Sequence, residues 1–354
     1  MNKIYVLHEY GSDSHYNGLL TLCKEHGIDL LYREFRFLHL IGSGIEHQNW
    51  RRILKQPINF AFLISLLFTR DKTVVLGMHP YDWRLPILDF LLRKHKVFYH
   101  SSFTAWMPSD MEKFKDTSEK KQKRIKDFIF YKTVHIFAVT DKAKKSICSF
   151  TGVGEDKVSV VYHSYTFPLK AAIMPSINHY VYVGRMDKQK GIEEMCEYFS
   201  IHPTLVLTLI GEGDDMTYVR RETSKFDNIQ YAGYVKGLPN LMPYYQKNAY
   251  FILNSKRTGE WEELFGQVLI EAMSCGCVPI AVSHSGPKEI IDNGKDGYLF
   301  EEGKLSQAMD MVVETGKDEY LRVRTEAIRK GQSFAASAIA RRWEPILKKY
   351  GKEG

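Results

Sequence analysis

Cysteine is scarce in this chain and follows no pattern. Five (Cys23, Cys148, Cys196, Cys275 and Cys277) are spread over 354 residues without a C-x-x-C pair. That excludes a small disulfide-stapled scaffold, offers no zinc or thioredoxin-type motif, and fits unpaired thiols in a reducing, cytoplasmic setting. Long apolar runs are missing too. The most apolar stretch, Ile58 to Phe68, is broken by Asn59 and Ser65 and falls short of the ~18 residues that suggest a membrane span. The N-terminus passes into the strand-like Lys3-Ile4-Tyr5-Val6-Leu7 without the apolar core or cleavage site of a secretory signal. No short repeat recurs. No Asp-x-Asp triplet follows a predicted strand, so no divalent cation is called for on that ground, and the adjacent Asp214-Asp215 pair suits a helix cap.

The chain does hold enough apolar material for ordinary cores, 44% hydrophobic against 26% charged residues, in a length that favours two domains of ~100 to 200 residues. Its charge is uneven. Residues 1–170 carry 26 Lys/Arg against 17 Asp/Glu, whereas the remainder carries 23 against 25. A basic half suggests a partner with phosphates, whether nucleic acid, an anionic membrane surface or a phosphorylated substrate. No aromatic-basic recognition motif singles out nucleic acid, which is not expected as a partner. Residues 112–132 concentrate eight Lys/Arg against four Asp/Glu, with Ile125, Phe128 and Ile129 on one helical face. With Trp50, Arg51, Arg52, Lys55 and the apolar run that follows, this reads in two ways. It is either a surface resting on anionic lipid at the cytoplasmic face of the inner membrane, or solvated helices packing their apolar side inward.

Short β-branched or aromatic runs alternate with longer helical patterns, the sign of βα units around parallel sheets. One set of predicted strands runs Lys3 to Leu7, Thr73 to Met78, Lys96 to His100, His135 to Val139 and Val158 to Tyr162. After a loop holding Pro168 and Pro175 the pattern starts afresh with His179 to Val183, Leu205 to Ile210, Ile229 to Ala232, Tyr250 to Leu253, Val278 to Ala281 and Tyr298 to Phe300. The class is α/β, as two doubly wound, Rossmann-like domains facing a cleft, with the boundary near Leu169 to Asn178. In open α/β sheets ligands lie beyond the carboxyl ends of the strands, so the loops that follow strands are where chemistry is sought.

Two such loops stand out. Tyr182 to Gly191 reads YVGRMDKQKG: a strand ends at Gly184, Arg185 and Lys190 stand five apart, and Gly191 opens a helix. Two cations beside a helix N-terminus suit a diphosphate, and they equally suit a solvated basic turn. Glu262 to Gly276 reads EELFGQVLIEAMSCG, which sets Glu263 and Glu271 on either side of the Phe265, Gly266, Gln267 and Val268 N–H groups at a helix start. Those amides would take a phosphate, and the flanking carboxylates would accept hydrogen bonds from sugar hydroxyls. An ordinary amphipathic helix with acidic residues near its N-terminus fits the same pattern. His100 and the weaker candidate His79 each close a predicted strand, as functional groups or as strand-end residues.

Together with IGEGDD (Ile210 to Asp215), YAGYVKGLPNLMPYY (Tyr231 to Tyr245), EELFGQVLIEAMSCGCVPIA (Glu262 to Ala281), SGPKEIIDNGKDGYLF (Ser285 to Phe300) and the tail Arg341-Arg342-Trp343, these motifs resemble glycosyltransferase family 4, which has the GT-B fold. The resemblance runs in order through the second half. In the first half it is weaker, through FAVTDKAKKSI (Phe137 to Ile147) and EDKVSVVYHS (Glu155 to Ser164). It implies that Arg185, Lys190 and the Phe265 to Val268 backbone hold a donor diphosphate, with Gly11 near it. It implies also that Glu263 meets the donor sugar, that Glu271 meets the nucleotide ribose, and that His100 joins Glu263 in the catalytic set. The domains implied are 1–170 for the acceptor, completed by a helix within 335–354, and 175–334 for the nucleotide sugar. The activity implied is a retaining hexosyl transfer from a nucleotide-diphosphate sugar to a lipid-linked saccharide acceptor in surface polysaccharide, O-antigen or capsule synthesis, with no metal and no other cofactor. Departures fall mostly on the acceptor side: Glu9-Tyr10-Gly11-Ser12 stands where members often have Gly-Gly, His163-Ser164 replaces Asn-Gly, Asn254-Ser255 replaces Pro-Ser, and Lys256 to Glu262 is long. A nucleotide-sugar epimerase or synthase, or a non-catalytic nucleotide-sugar-binding protein, would use the same fold.

Overall fold

Strands form where β-branched and aromatic runs can be covered on both faces, as parallel sheets require. The computed structural model describes residues 3–11, 13–46, 48–166, 174–258 and 262–348. In its first half these runs become β1 (Lys3–His8), β2 (Asp29–Glu34), β3 (Thr73–Gly77), β4 (Lys96–Ser101), β5 (Thr133–Ala138) and β6 (Val158–Val160). All pair in parallel, in the order β2-β1-β3-β4-β5-β6. Central β3, TVVLG, is buried along its whole length. β2 escapes sequence reading because it is an edge strand, DLLYRE, none of whose residues is fully buried. Helices cross between the strands, among them Asn17–Glu25, Trp50–Phe68, Leu85–Leu92 and Asp141–Thr151. Their ends carry ordinary signals: the Thr140 hydroxyl accepts the Ala143 N–H at 3.1 Å, and Gly152 closes the same helix in the left-handed conformation.

The second half gives β7 (Ser176–Val183), β8 (Val206–Ile210), β9 (Ile229–Tyr231), β10 (Asn248–Leu253), β11 (Val278–Val282) and β12 (Tyr298–Phe300), parallel in the order β12-β11-β10-β7-β8-β9. The expected α/β class is met by two doubly wound six-stranded sheets. A helix not read from sequence, Lys317–Gln332, packs on the helix Gln267–Ser274, with Gly331 so close to Ser274 that no Cβ would fit. Asp215 occupies the N-cap position of the helix Met216–Lys225, but its side chain makes no capping bond.

Packing divides the chain into one unit made of the residues up to Ser164 together with those from Ala336 onward, and a second made of Tyr165–Ala335. Tyr165 and Ala335, where the chain enters and leaves the second unit, pair in a β-bridge. The C-terminal segment is part of the first core. Ile339 and Trp343 crowd Gly18 on Asn17–Glu25, and Trp343 is buried 4.3 Å from the Phe137 ring. The expected interdomain loop at Pro168 and Leu169, Ser12 and the tail beyond residue 348 lie outside the described residues.

The basic segment 112–132 folds as a helix, Glu119–Asp127, and a wide turn, Phe128–Lys132. Ile125, Phe128 and Ile129 are all buried in the core, so the inward-packing reading holds for these three side chains. Exposed apolar side chains lie at Phe130 and Tyr131 of the same segment and, on Trp50–Phe68, at Trp50, Leu54, Ile58 and Phe68. Among the described residues no helix is long and apolar enough to cross a membrane.

Candidate functional site

In the second sheet the strand order reverses between β7 and β10, the point at which doubly wound folds bind ligands. The loops leaving these two strands are the two singled out by sequence. After β7, Tyr182 donates its hydroxyl proton to the Arg185 carbonyl at 2.7 Å, and the Gly184 N–H donates to Ile210 O at 3.0 Å, which fixes the turn. The Arg185 guanidinium is mostly exposed and pairs with Asp187 at 3.2 Å. Lys190 points the other way. Its Nζ lies 2.8 Å from Glu263 Oε2 and 3.3 Å from Ser255 Oγ, with both charged side chains largely buried. A lysine from the β7 loop is therefore joined to a carboxylate and a hydroxyl from the β10 loop. Asn254 strengthens the junction, donating to Gly191 O at 3.1 Å and to Glu194 Oε2 at 2.8 Å.

Beyond Glu263 the chain turns through Gly266, whose φ is +86°, and starts the helix Gln267–Ser274. The first-turn amides of that helix form its positive end, and Phe265 to Val268 sit there as expected. Glu271 lies in the second turn, where it accepts from Gln267 Nε2 and the Tyr245 hydroxyl, each at 3.4 Å. Burial disfavours its charged form and pushes its pKa up to about 7.

Several groups that build the site gave no motif signal of their own. The Glu263 N–H donates to His284 Nδ1 at 3.3 Å while His284 Nε2 meets Glu302 at 3.2 Å, so the ring ties the acidic loop to Glu302. The Gly286 N–H donates to Glu263 O at 3.1 Å, and Ser285 donates to Glu262. Ser285 opens the SGPKE stretch and His284 immediately precedes it, the one sequence hint available for them.

His100 and Gly11 belong to the first unit, where the sheet reverses between β1 and β3. Gly11 turns with φ +71°, a conformation that side-chain-bearing residues rarely adopt, next to the end of the Glu34 side chain. Glu9 beside it accepts the His79 N–H at 2.6 Å and lies 3.5 Å from the Arg36 guanidinium. His79 Nδ1 accepts from the Tyr81 N–H at 3.2 Å, and its ring is packed against Phe103 and Phe114. His100, only 2% exposed, lies under Tyr16 at 4.8 Å and Trp343 at 5.5 Å, and among the described residues its Nε2 has no partner. Burial, then the neighbouring His163, His15 and His8, hold it neutral, well below the ordinary imidazole range. Among the described residues no group of three or more His, Cys, Asp or Glu side chains is arranged to hold a metal ion.

This geometry has relatives. Residues 172–331 match the model of the family described as glycosyl transferases group 1. An N-acetyl-alpha-D-glucosaminyl L-malate synthase of Bacillus anthracis is 26% identical over 175 residues, 47% of this chain and 44% of that protein. A sucrose synthase of Solanum tuberosum is 27% identical over 155 residues, 37% of this chain and 18% of that protein. The chain thus spans less than half the length of these curated relatives. Among solved structures, a glycosyltransferase from Rickettsia africae ESF-5 superposes with a TM-score of 0.70 at 16% identity, covering 100% of this chain and 99% of that one. Anabaena Alr3699/HepE in complex with UDP gives 0.68 at 15% identity, covering 98% and 100%. The loops built around Lys190, Glu263 and Glu271 therefore lie within the stretch that matches the glycosyl transferases group 1 model, in a chain of GT-B fold.

Proposed function

We propose that this chain is a family 4 glycosyltransferase that moves a hexose from a nucleoside-diphosphate donor to a lipid-linked saccharide, with retention of configuration and without a metal. The observation that carries the reading is the Lys190–Glu263 pair at the reversal between β7 and β10, made by two loops of which the first also carries Arg185 and the second leads into the helix that bears Glu271. A nucleotide sugar has three parts to be held, and three chemistries are present for them. Cations and helix amides suit the diphosphate, Glu263 suits the sugar hydroxyls, and Glu271 suits the ribose diol.

In the transfer, the bond between the anomeric carbon and the diphosphate oxygen breaks while the acceptor oxygen bonds to the same face of that carbon. The acceptor's proton passes to the departing diphosphate. Negative charge grows on the leaving group, so Lys190, Arg185 and the Gln267–Ser274 helix end stabilise the transition state more than the ground state. Lys190 couples the two ends of the donor, because the cation facing the phosphates is the one that orients Glu263.

Thermal unfolding with UDP, GDP, ADP and CMP tests the donor site, and the UDP complex of the Anabaena neighbour makes UDP the first to try. A nucleotide at ~100 times its Kd adds about 2.7 kcal/mol to the unit that binds it. One nucleotide is expected to raise the midpoint of the natural chain and not that of Lys190→Ala. Absence of any shift with all four would remove the donor site and the activity with it.

A further inference from the structure

β11 and β12 run side by side with Val282 opposite Phe300, and just past that pair the Ser283 N–H donates to Phe300 O at 2.7 Å. His284 and Glu302 each stand two residues beyond the pair, a spacing that returns side chains of neighbouring strands to the same face. There they meet, His284 Nε2 at 3.2 Å from Glu302 Oε2. The histidine is 1% exposed and its backbone is fixed on both sides: its N–H donates to Val282 O at 2.8 Å, and its carbonyl accepts the Lys288 N–H at 3.0 Å.

A backbone N–H can only donate. The Glu263 N–H faces His284 Nδ1 at 3.3 Å, so a proton on that nitrogen would set two donors against each other. The bond requires the Nδ1 lone pair, which leaves the ring proton on Nε2, toward Glu302. Glu302 has a second task. Its other oxygen, Oε1, accepts the Arg257 N–H at 3.0 Å. Both oxygens of one carboxylate thus serve as acceptors, for a loop residue six positions before Glu263 and for the ring that holds Glu263 itself. The adjacent Glu262 is held by other groups, Ser285 and, at 3.3 Å, the Arg257 guanidinium, whereas the Glu263 carboxylate goes to Lys190.

We infer that His284 and Glu302 are positioning residues for the sugar-facing carboxylate: Glu302 fixes the ring proton of His284 on Nε2, and the Nδ1 lone pair holds the Glu263 backbone so that its side chain lies against Lys190. A carboxylate that decides which imidazole nitrogen carries the proton is a general device for orienting a functional group. That Glu263 meets a sugar rests on the glycosyltransferase reading above; the order Glu302, His284, Glu263 does not. The chemistry makes one substitution diagnostic. In Glu302→Gln a single side-chain oxygen is left for two donors, the Arg257 N–H and the His284 ring. With its amide NH₂ turned to the ring, the imidazole proton moves to Nδ1 and the bond from Glu263 is lost.

The test has two readouts on the full chain. Two-bond proton–nitrogen correlation spectra of isotope-labelled histidine, with the His284 signals assigned by their loss in His284→Asn, report the tautomer. The Nε2–H form is expected in the natural chain, with the Nδ1–H form appearing in Glu302→Gln. Calorimetry with UDP and UDP-glucose reads the second effect. The affinity for UDP-glucose relative to UDP should fall about fivefold or more in Glu302→Gln and His284→Gln, the size of one lost hydrogen bond, while the Kd for UDP itself stays within about twofold. His284→Asn, whose side-chain oxygen takes the place of Nδ1, should keep the ratio within about twofold of the natural chain. An Nδ1–H ring in the natural chain would overturn the proposal, as would a Glu302→Gln variant with tautomer and ratio unchanged. Equal losses in His284→Asn and His284→Gln would overturn it in favour of mere packing by the ring. The expected tautomer and its dependence on Glu302, in a chain whose unfolding no nucleotide delays, would leave the positioning chain standing and remove the donor reading.

Discussion

Glu271 is a carboxyl placed where its charge is costly. With a pKa raised to about 7 by burial, it binds its proton more tightly in the folded chain than in the unfolded one. Its contribution to stability is therefore fully present below the unfolded value of ~4.5 and is lost as pH rises through about 7. A ribose diol donates hydrogen bonds and so favours the ionised form, so binding should release a proton and affinity should rise with pH up to about 7, then level off. Calorimetry with an intact nucleotide sugar, whose diphosphate does not titrate in this window, in buffers of different ionisation enthalpy would read that proton. In Glu271→Gln the proton release should vanish and affinity should fall about tenfold or more at pH 8. Glu263 presents the opposite case, a carboxylate already matched by Lys190 at 2.8 Å. Glu263→Ala should lower kcat more than it raises the Kd for nucleotide, and equal losses in both would mean that the two carboxylates do not divide the donor as described.

The elements that aim these groups depend on one backbone turn. Gly266 has φ +86°, and a Cβ there would also press on Leu269, so Gly266→Ala should cost about 1 to 2 kcal/mol and tilt the first turn of Gln267–Ser274. Denaturant unfolding would read the first effect and the nucleotide Kd the second. This turn was visible in the sequence because glycines, cations and acids in strand-following loops are there for chemistry and backbone shape, which local sequence records. The rest was not visible, because distant packing decides it. β2 is a half-covered edge with charged ends. Lys317–Gln332 shows the core few apolar positions, Tyr320, Val323, Ala327 and Gly331, in an otherwise charged run. His284 acts through a loop 21 residues earlier in the chain. His100 reads as a strand-end histidine, but its burial comes from Tyr16 and from Trp343 near the far end of the sequence.

At the scale of the molecule, the two units should fail separately. Trp343→Ala removes a fully buried ring from the first core, a loss of about 3 to 5 kcal/mol. Urea unfolding followed with and without UDP should then show an early transition insensitive to nucleotide and an unchanged later one that nucleotide delays. A single transition, shifted as a whole, would mean that the units unfold together. The split has a further consequence in time. Because Ile339, Trp343 and Ile346 enter the first core only after Tyr165–Ala335 has been made, the ribosome finishes the second unit before the first can close. The start of the chain must wait, with its Asn17–Glu25 helix uncovered, through the synthesis of an entire neighbour. A factor that shields exposed apolar surface on nascent chains would find its longest-lived target here at the N-terminus, in the half made first and completed last.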